Sequence, residues 1–159
     1  MAPGALDRRA RLLARVEHEW AALLGTMHGL DDACCLQAGV VGQWSLRDLL
    51  VHITSWEEEA LKAIPIILEG RRLPRYSQLY GGIDAFNAQV QTDREALTLT
   101  QVRAETKIVH QRLLSCLESL TEEALTSGGR LARRLKQDTY AHYSEHATHV
   151  ADWRRLEDL

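Results

Sequence analysis

The sequence is poor in the residues that staple or interrupt a chain, with three cysteines, three prolines and one phenylalanine among 159 residues. Cys34 and Cys35 are adjacent and Cys116 is distant, which excludes a disulfide framework and zinc-motif spacing. A disulfide between neighbours would be strained, so free thiols and a reducing compartment are expected. No apolar run approaches the roughly 18 residues of a membrane span, and the stretch from Met1 to Arg9 has no apolar signal-peptide core. The expected location is therefore cytoplasmic, with no membrane partner. Excess positive charge is also missing: a formal charge of -3 and a pI near 6.2 argue against a chain that wraps nucleic acid. Neither an internal repeat nor a low-complexity tract is present.

What the chain does have is an ordinary globular balance, 45% apolar and 26% charged, in a length suited to one domain over 1–159. Helical periodicity dominates it. Asp7 caps a first helix in which Leu13, Val16, Trp20, Leu23, Leu24 and Met27 recur at core spacing, ending near Gly29. A loop is expected over 30–43. Ser45 then opens a second helix, to about Leu68, with Leu46, Leu49, Ile53, Trp56, Ala60 and Ile64 on its apolar arc and Pro65 expected to disturb its last turns. The segment 70–83, with Arg71, Arg72, Arg75 and Gly81-Gly82, reads as a long ordered loop. Asp84 is the expected cap of a third helical region, which runs to Leu120 with an interruption around Leu97 to Thr100. Val102, Val109, Leu113, Leu117 and Leu120 form its core face. The stretch 121–137 carries Arg130, Arg133, Arg134 and Lys136; it reads as a solvated basic face or as a rim that attracts anions. Asp138 is the expected cap of the last helix.

That last helix carries the chemistry. At about 100° per residue, His142, His146, His149 and Trp153 share one stripe about 60° wide, so three of the seven histidines lie on one strip. Histidines at i and i+4 are how a helix offers two nitrogens to one metal ion, while the bland alternative is a polar edge bordering a core. A third partner is available on the second helix, where His52 borders the apolar arc. Packing the two arcs together would bring His52, His142 and His146 into one place. Glu59, two helical turns past His52, is a candidate to reach a metal, to orient a ligand, or simply to face solvent. His149 is a candidate third ligand or base beside the metal. His18, His28 and His110 are expected at the surface or in ordinary packing. Glu145 points away from the strip. Trp20, Trp56 and Trp153 are expected mainly in the core.

Trp44-Ser45 opening a helix, His52 seven residues later, Trp56 beyond it, and a closing helix with His-x-x-x-His resemble the DinB-like superfamily of metal-binding four-helix bundles. Within it, the stretches Ile83-Asp84-Ala85-Phe86-Asn87-Ala88-Gln89 and Thr139-Tyr140-Ala141-His142-Tyr143-Ser144-Glu145-His146 most resemble the ClbS/DfsB-type branch. The resemblance spans 44–153 and implies an all-α, four-helix bundle of up-down-down-up topology. Fourteen residues of extended chain at 70–83 cover about 45 Å, enough for the parallel second and third helices this requires. Spacing alone permits an antiparallel hairpin equally well.

The resemblance also implies a divalent metal ion on His52, His142 and His146, with zinc and nickel both suited to imidazole. The activities it implies are hydrolysis or thiol transfer to a small electrophilic molecule, with a low-molecular-weight thiol as co-substrate, in detoxification or stress protection, and a homodimer as the common assembly. The competing reading is a non-catalytic bundle that binds a small molecule or serves as a dimerising scaffold.

Overall fold

The computed structural model describes residues 7–126 and 128–159. Four long helices make the bundle: α1 (Arg8–Met27), α3 (Leu46–Leu68), α6 (Leu99–Glu118) and α8 (Tyr140–Leu156). Shorter helices fill the connections: α2 (Asp32–Cys35), α4 (Tyr76–Leu79), α5 (Ile83–Asp93) and α7 (Arg130–Asp138). The fold is all-α, as expected, and no strand is present among the described residues. No helix among them is long and apolar enough to cross a membrane.

Side-chain contacts give the helix directions. Along α3 and α6, Arg47 meets Leu97, Thr54 meets Thr106, and Glu57 meets His110, so both run the same way. Along α1 and α8, Arg15 lies over Tyr140, Trp20 packs on Tyr143, and the Thr26 carbonyl accepts from Arg154. These two also run together. Against α6, α1 runs in the opposite sense, since Arg9 reaches the Leu120 carbonyl while Trp20 stacks on His110. The long crossing from α3 to α6 is handled by α4 and α5, which lie over α3.

Local signals explain most element ends. The Asp7 carboxylate accepts from the amides of Arg9 and Ala10, and Ser45 forms a reciprocal capping box with Asp48. Thr98 and Gln101 form another at the start of α6. Gly81 and Gly82, with φ of +88° and +125°, make the left-handed turn that leads the chain into α5.

Several expectations need correction. Asp84 sits inside the first turn of α5, whose cap position is Gly82, so the glycine turn rather than a side chain starts the helix. Asp138 is not the cap of α8; it is the buried last residue of α7 and pairs with Arg134. Pro65 does not break α3, which continues to Leu68: the proline is exposed and lies in the final turns, where a lost amide bond is tolerated best. The break in the third helical region falls at 94–98, where Arg47 accounts for the carbonyls left over, bonding those of Arg94, Glu95 and Leu97. The segments read as loops at 30–43 and 70–83 contain the single-turn helices α2 and α4.

Candidate metal centre

Three histidines from two antiparallel helices meet near the middle of the bundle. Leu46, Leu49, Ile53, Ala60 and Ile64 bury one face of α3, and Tyr143, Val150 and Trp153 bury one face of α8. Packing those faces turns the bordering histidines toward each other. His52 Nε2 lies 2.9 Å from His142 Nε2, which lies 2.9 Å from His146 Nε2. His52 and His146 are buried, and His142 is half-buried.

The chemistry of this donor set is unusual for a protein interior. A neutral imidazole nitrogen carries either a hydrogen or a lone pair and never both, so His142 Nε2 cannot donate across one of its short contacts and accept across the other, and at most one of the two is a well-formed hydrogen bond. Among the described residues, none of the three makes a hydrogen bond to a carboxylate or a backbone carbonyl. Meanwhile Nδ1 of His52 and Nδ1 of His142 are buried without a partner. Burial holds all three imidazoles well below the usual histidine range, to about 3, and each is pushed further down by a neighbouring histidine. For His52 a contact with the Asn87 side chain opposes this. All three are thus neutral at pH 7, the state in which imidazole is a ligand. The ligand nitrogens lie within 4.8 Å of one another, and their residues form a group with the composition and spacing of a metal centre.

Trp44 packs on His52 with ring centroids 4.8 Å apart, and Trp56 borders both His52 and His142. The Trp56 indole N–H donates to the Asn87 side-chain carbonyl, 3.1 Å away, fixing α5 over the site. His149 is half-buried one turn past His146, with Nδ1 to Nδ1 at 3.2 Å. It touches the cluster from behind His146 rather than joining the three converging nitrogens. Glu59 is buried but not in the cluster: its carboxylate accepts from Tyr76 Oη at 2.8 Å and from Lys62 at 2.7 Å. Arg134 donates to the same Tyr76 oxygen and lies over the Trp56 and Tyr76 rings. The basic stretch is therefore not a uniformly solvated face, since Arg134 is drawn inward by two aromatic rings and by Asp138. Burial raises the Asp138 carboxyl to about 6 against the opposing pull of Arg134.

The family model of the DinB superfamily matches residues 15–153. The chain belongs to the DinB superfamily. That superfamily is metal-associated, which agrees with a histidine triad built across α3 and α8. Two solved structures share the fold over nearly all of both chains. An uncharacterised protein from Escherichia coli UTI89 superposes with a TM-score of 0.77 at 16% identity, covering 95% of each chain. The sibling lethal factor precursor DfsB gives 0.78 at 15% identity, covering 94% of this chain and 96% of that one. None of the curated proteins matches the sequence.

A second buried polar cluster escaped sequence reasoning. Glu57, fully buried, accepts from His110 Nδ1 at 2.7 Å and from the Tyr143 hydroxyl through the same oxygen. His110, expected at the surface, is only 7% exposed and stacks on Trp20 with centroids 4.0 Å apart. The signal was present: a carboxylate, an imidazole and a phenol each occupy a core register on different helices, where isolated they would be costly. His18, His28 and Glu145 are exposed, as read from the sequence.

Proposed function

We propose that this protein is a metal-dependent enzyme in which Nε2 of His52, His142 and His146 hold one divalent ion, zinc or nickel, and which carries out hydrolysis or thiol transfer on a small electrophilic molecule. The observation that supports this reading is the convergence of three neutral, buried imidazole nitrogens with no anionic or backbone partner. Their mutual contacts cannot both be well-formed hydrogen bonds, and a cation that accepts all three lone pairs relieves that mismatch. Three neutral ligands also suit an open site better than a closed structural one. A bound ion would act as a Lewis acid and lower the pKa of a coordinated water or thiol.

The residues around the triad supply the rest. Trp44 and Trp56 wall off water beside His52. Asn87, held by Trp56, orients the α5 side of the entrance. Arg134, half-buried over Trp56 and Tyr76, offers a fixed cation to an anionic group of a substrate or of a low-molecular-weight thiol. His149 is placed to exchange a proton with His146 Nδ1, and Glu59 acts on the site through Tyr76 and Arg134, as a positioning residue.

The test is metal content in protein purified without an affinity tag, beside His52→Ala and His146→Ala, followed by assays of ester hydrolysis and of thiol conjugation to 1-chloro-2,4-dinitrobenzene. About one equivalent in the parent, lost in both folded variants together with activity, supports the proposal. A parent that takes up neither zinc nor nickel refutes it and leaves a ligand-binding or scaffold bundle.

A further inference from the structure

The bundle contains a second candidate site, apart from the triad, at the end where α1 and α6 part above the start of α3. A cavity of about 530 Å³ opens there, within the range that holds small organic ligands. Its body is apolar: Leu24 and Met27 come from α1, Leu46 and Leu50 from α3, and Leu99 from α6. Leu24 is 43% exposed at the mouth, so apolar surface continues outward.

One wall differs. Arg103, Lys107 and His110 are stacked along α6 at helical spacing and all line the cavity, whereas none of its lining residues is acidic. Arg103 donates to Asp32 at 2.9 Å and lies 3.4 Å from Cys35 Sγ. That ion pair is solvent-exposed and of the kind that yields readily to a competing anion. Lys107 is exposed and makes no hydrogen bond or ion pair among the described residues. Behind them His110 is held rigidly: Glu57 binds Nδ1 and Trp20 covers one ring face, so Nε2 is the nitrogen left for a ligand. Neither half of this arrangement suits water alone, since the body is apolar and the polar wall carries Lys107, unpaired among the described residues, beside an Arg103 whose partner Asp32 is exposed.

We propose that this cavity binds a small amphipathic organic acid, its apolar body between α1 and α6 and its carboxylate at Lys107 and Arg103. The fit is one of charge and shape together: an apolar volume closed at one end by buried leucines and edged on one side by two cations. It does not depend on the triad, which lies on the α3 and α8 side of the bundle, with the Glu57, His110 and Tyr143 cluster between.

Decanoate is the probe. Calorimetric titration of the parent, His52→Ala, Lys107→Glu and Leu24→Trp, each checked for native helicity, reads the site; both cavity substitutions are at exposed positions. The expected result is one saturable site in the parent, unchanged in His52→Ala, with the dissociation constant raised at least tenfold in Lys107→Glu and binding lost in Leu24→Trp. No saturable binding to the parent would overturn the proposal, as would equal affinity in all four proteins. Loss of binding in His52→Ala would place the acid at the triad instead. Sedimentation equilibrium covers the remaining occupant: a parent dimer that Lys107→Glu or Leu24→Trp dissociates would assign this surface to a second copy and equally overturn it.

Discussion

Two groups of histidine chemistry lie buried in this bundle, both built across α3 and α8, and they answer the cost of burial in different ways. At Glu57, His110 and Tyr143, an imidazole and a phenol both donate to one carboxylate oxygen, so each donor is satisfied within the protein. At His52, His142 and His146, ring nitrogens face one another in two short contacts that cannot both be well-formed hydrogen bonds, and two Nδ1 atoms stay unpartnered. The first group satisfies its donors with protein atoms alone and leaves the second Glu57 oxygen without a partner. The second is short of a positive charge. A buried polar cluster with internal partners contributes to stability and specificity, whereas one lacking them is a candidate for function.

The sharpest way to break this contrast is to remove the carboxylate that both donors of the first cluster share. Glu57→Ala leaves His110 Nδ1 and the Tyr143 hydroxyl without their acceptor in the core and should cost about 3 to 5 kcal/mol in urea unfolding. In metal-free protein His52→Ala should cost much less, about 1 kcal/mol, because it relieves one poorly matched N···N contact as it opens a small gap. Similar losses for the two variants would erase the distinction.

A somewhat smaller effect is expected from metal. Zinc or nickel at about a thousandfold over its dissociation constant should stabilise the parent by about 4 kcal/mol. His142→Ala should abolish that gain, and Glu57→Gln should keep it. Thermal unfolding with and without added metal reads both.

The pH response separates the groups again. Each triad histidine has a folded pKa near 3, below its ordinary value of 6.5. The unfolded chain therefore binds more protons between those values, so metal-free stability is full above about pH 6.5 and falls as pH drops toward 3. The slope approaches about 1.4 kcal/mol per pH unit for each histidine that protonates on unfolding. In a His52→Ala, His142→Ala, His146→Ala triple variant the curve should flatten over that window. An unchanged slope would show that other groups govern acid unfolding.

The smallest effect concerns the flank of the triad. His149→Ala removes a neighbour of His146 without removing a converging nitrogen, so metal affinity should weaken no more than about tenfold, in line with the loss of an outer partner. A loss as large as that of His146→Ala, measured by competition with a chelator, would make His149 a ligand.

Much of this was legible in the residues. The caps at Asp7 and Ser45, the apolar arcs of α1, α3, α6 and α8, and the recurrence of His142 and His146 on one strip follow from spacing and local hydrogen bonding, which depend on near neighbours in the chain. Glu57, His110 and Tyr143 were not legible as a unit. Each sits at a core register that marks it as a polar group in need of a partner, but the partners lie 53 and 86 residues away, so the pairing itself could not be read locally. The inward turn of Arg134 was hidden for the same reason, because Trp56 and Tyr76, which draw it in, belong to other elements.

By itself, the sequence determined that the chain is helical, where its four long helices run, and which histidines border their buried faces, because periodicity and capping are properties of contiguous residues. Tertiary structure alone decided that α3 and α6 run parallel, that His52 Nε2 meets the nitrogens of α8, that Glu59 pairs with Tyr76 rather than with the triad, and that a cavity opens beside Lys107. Those outcomes rest on which helix faces pack together and in what register, and that is settled by the summed burial of many distant side chains rather than by any local run.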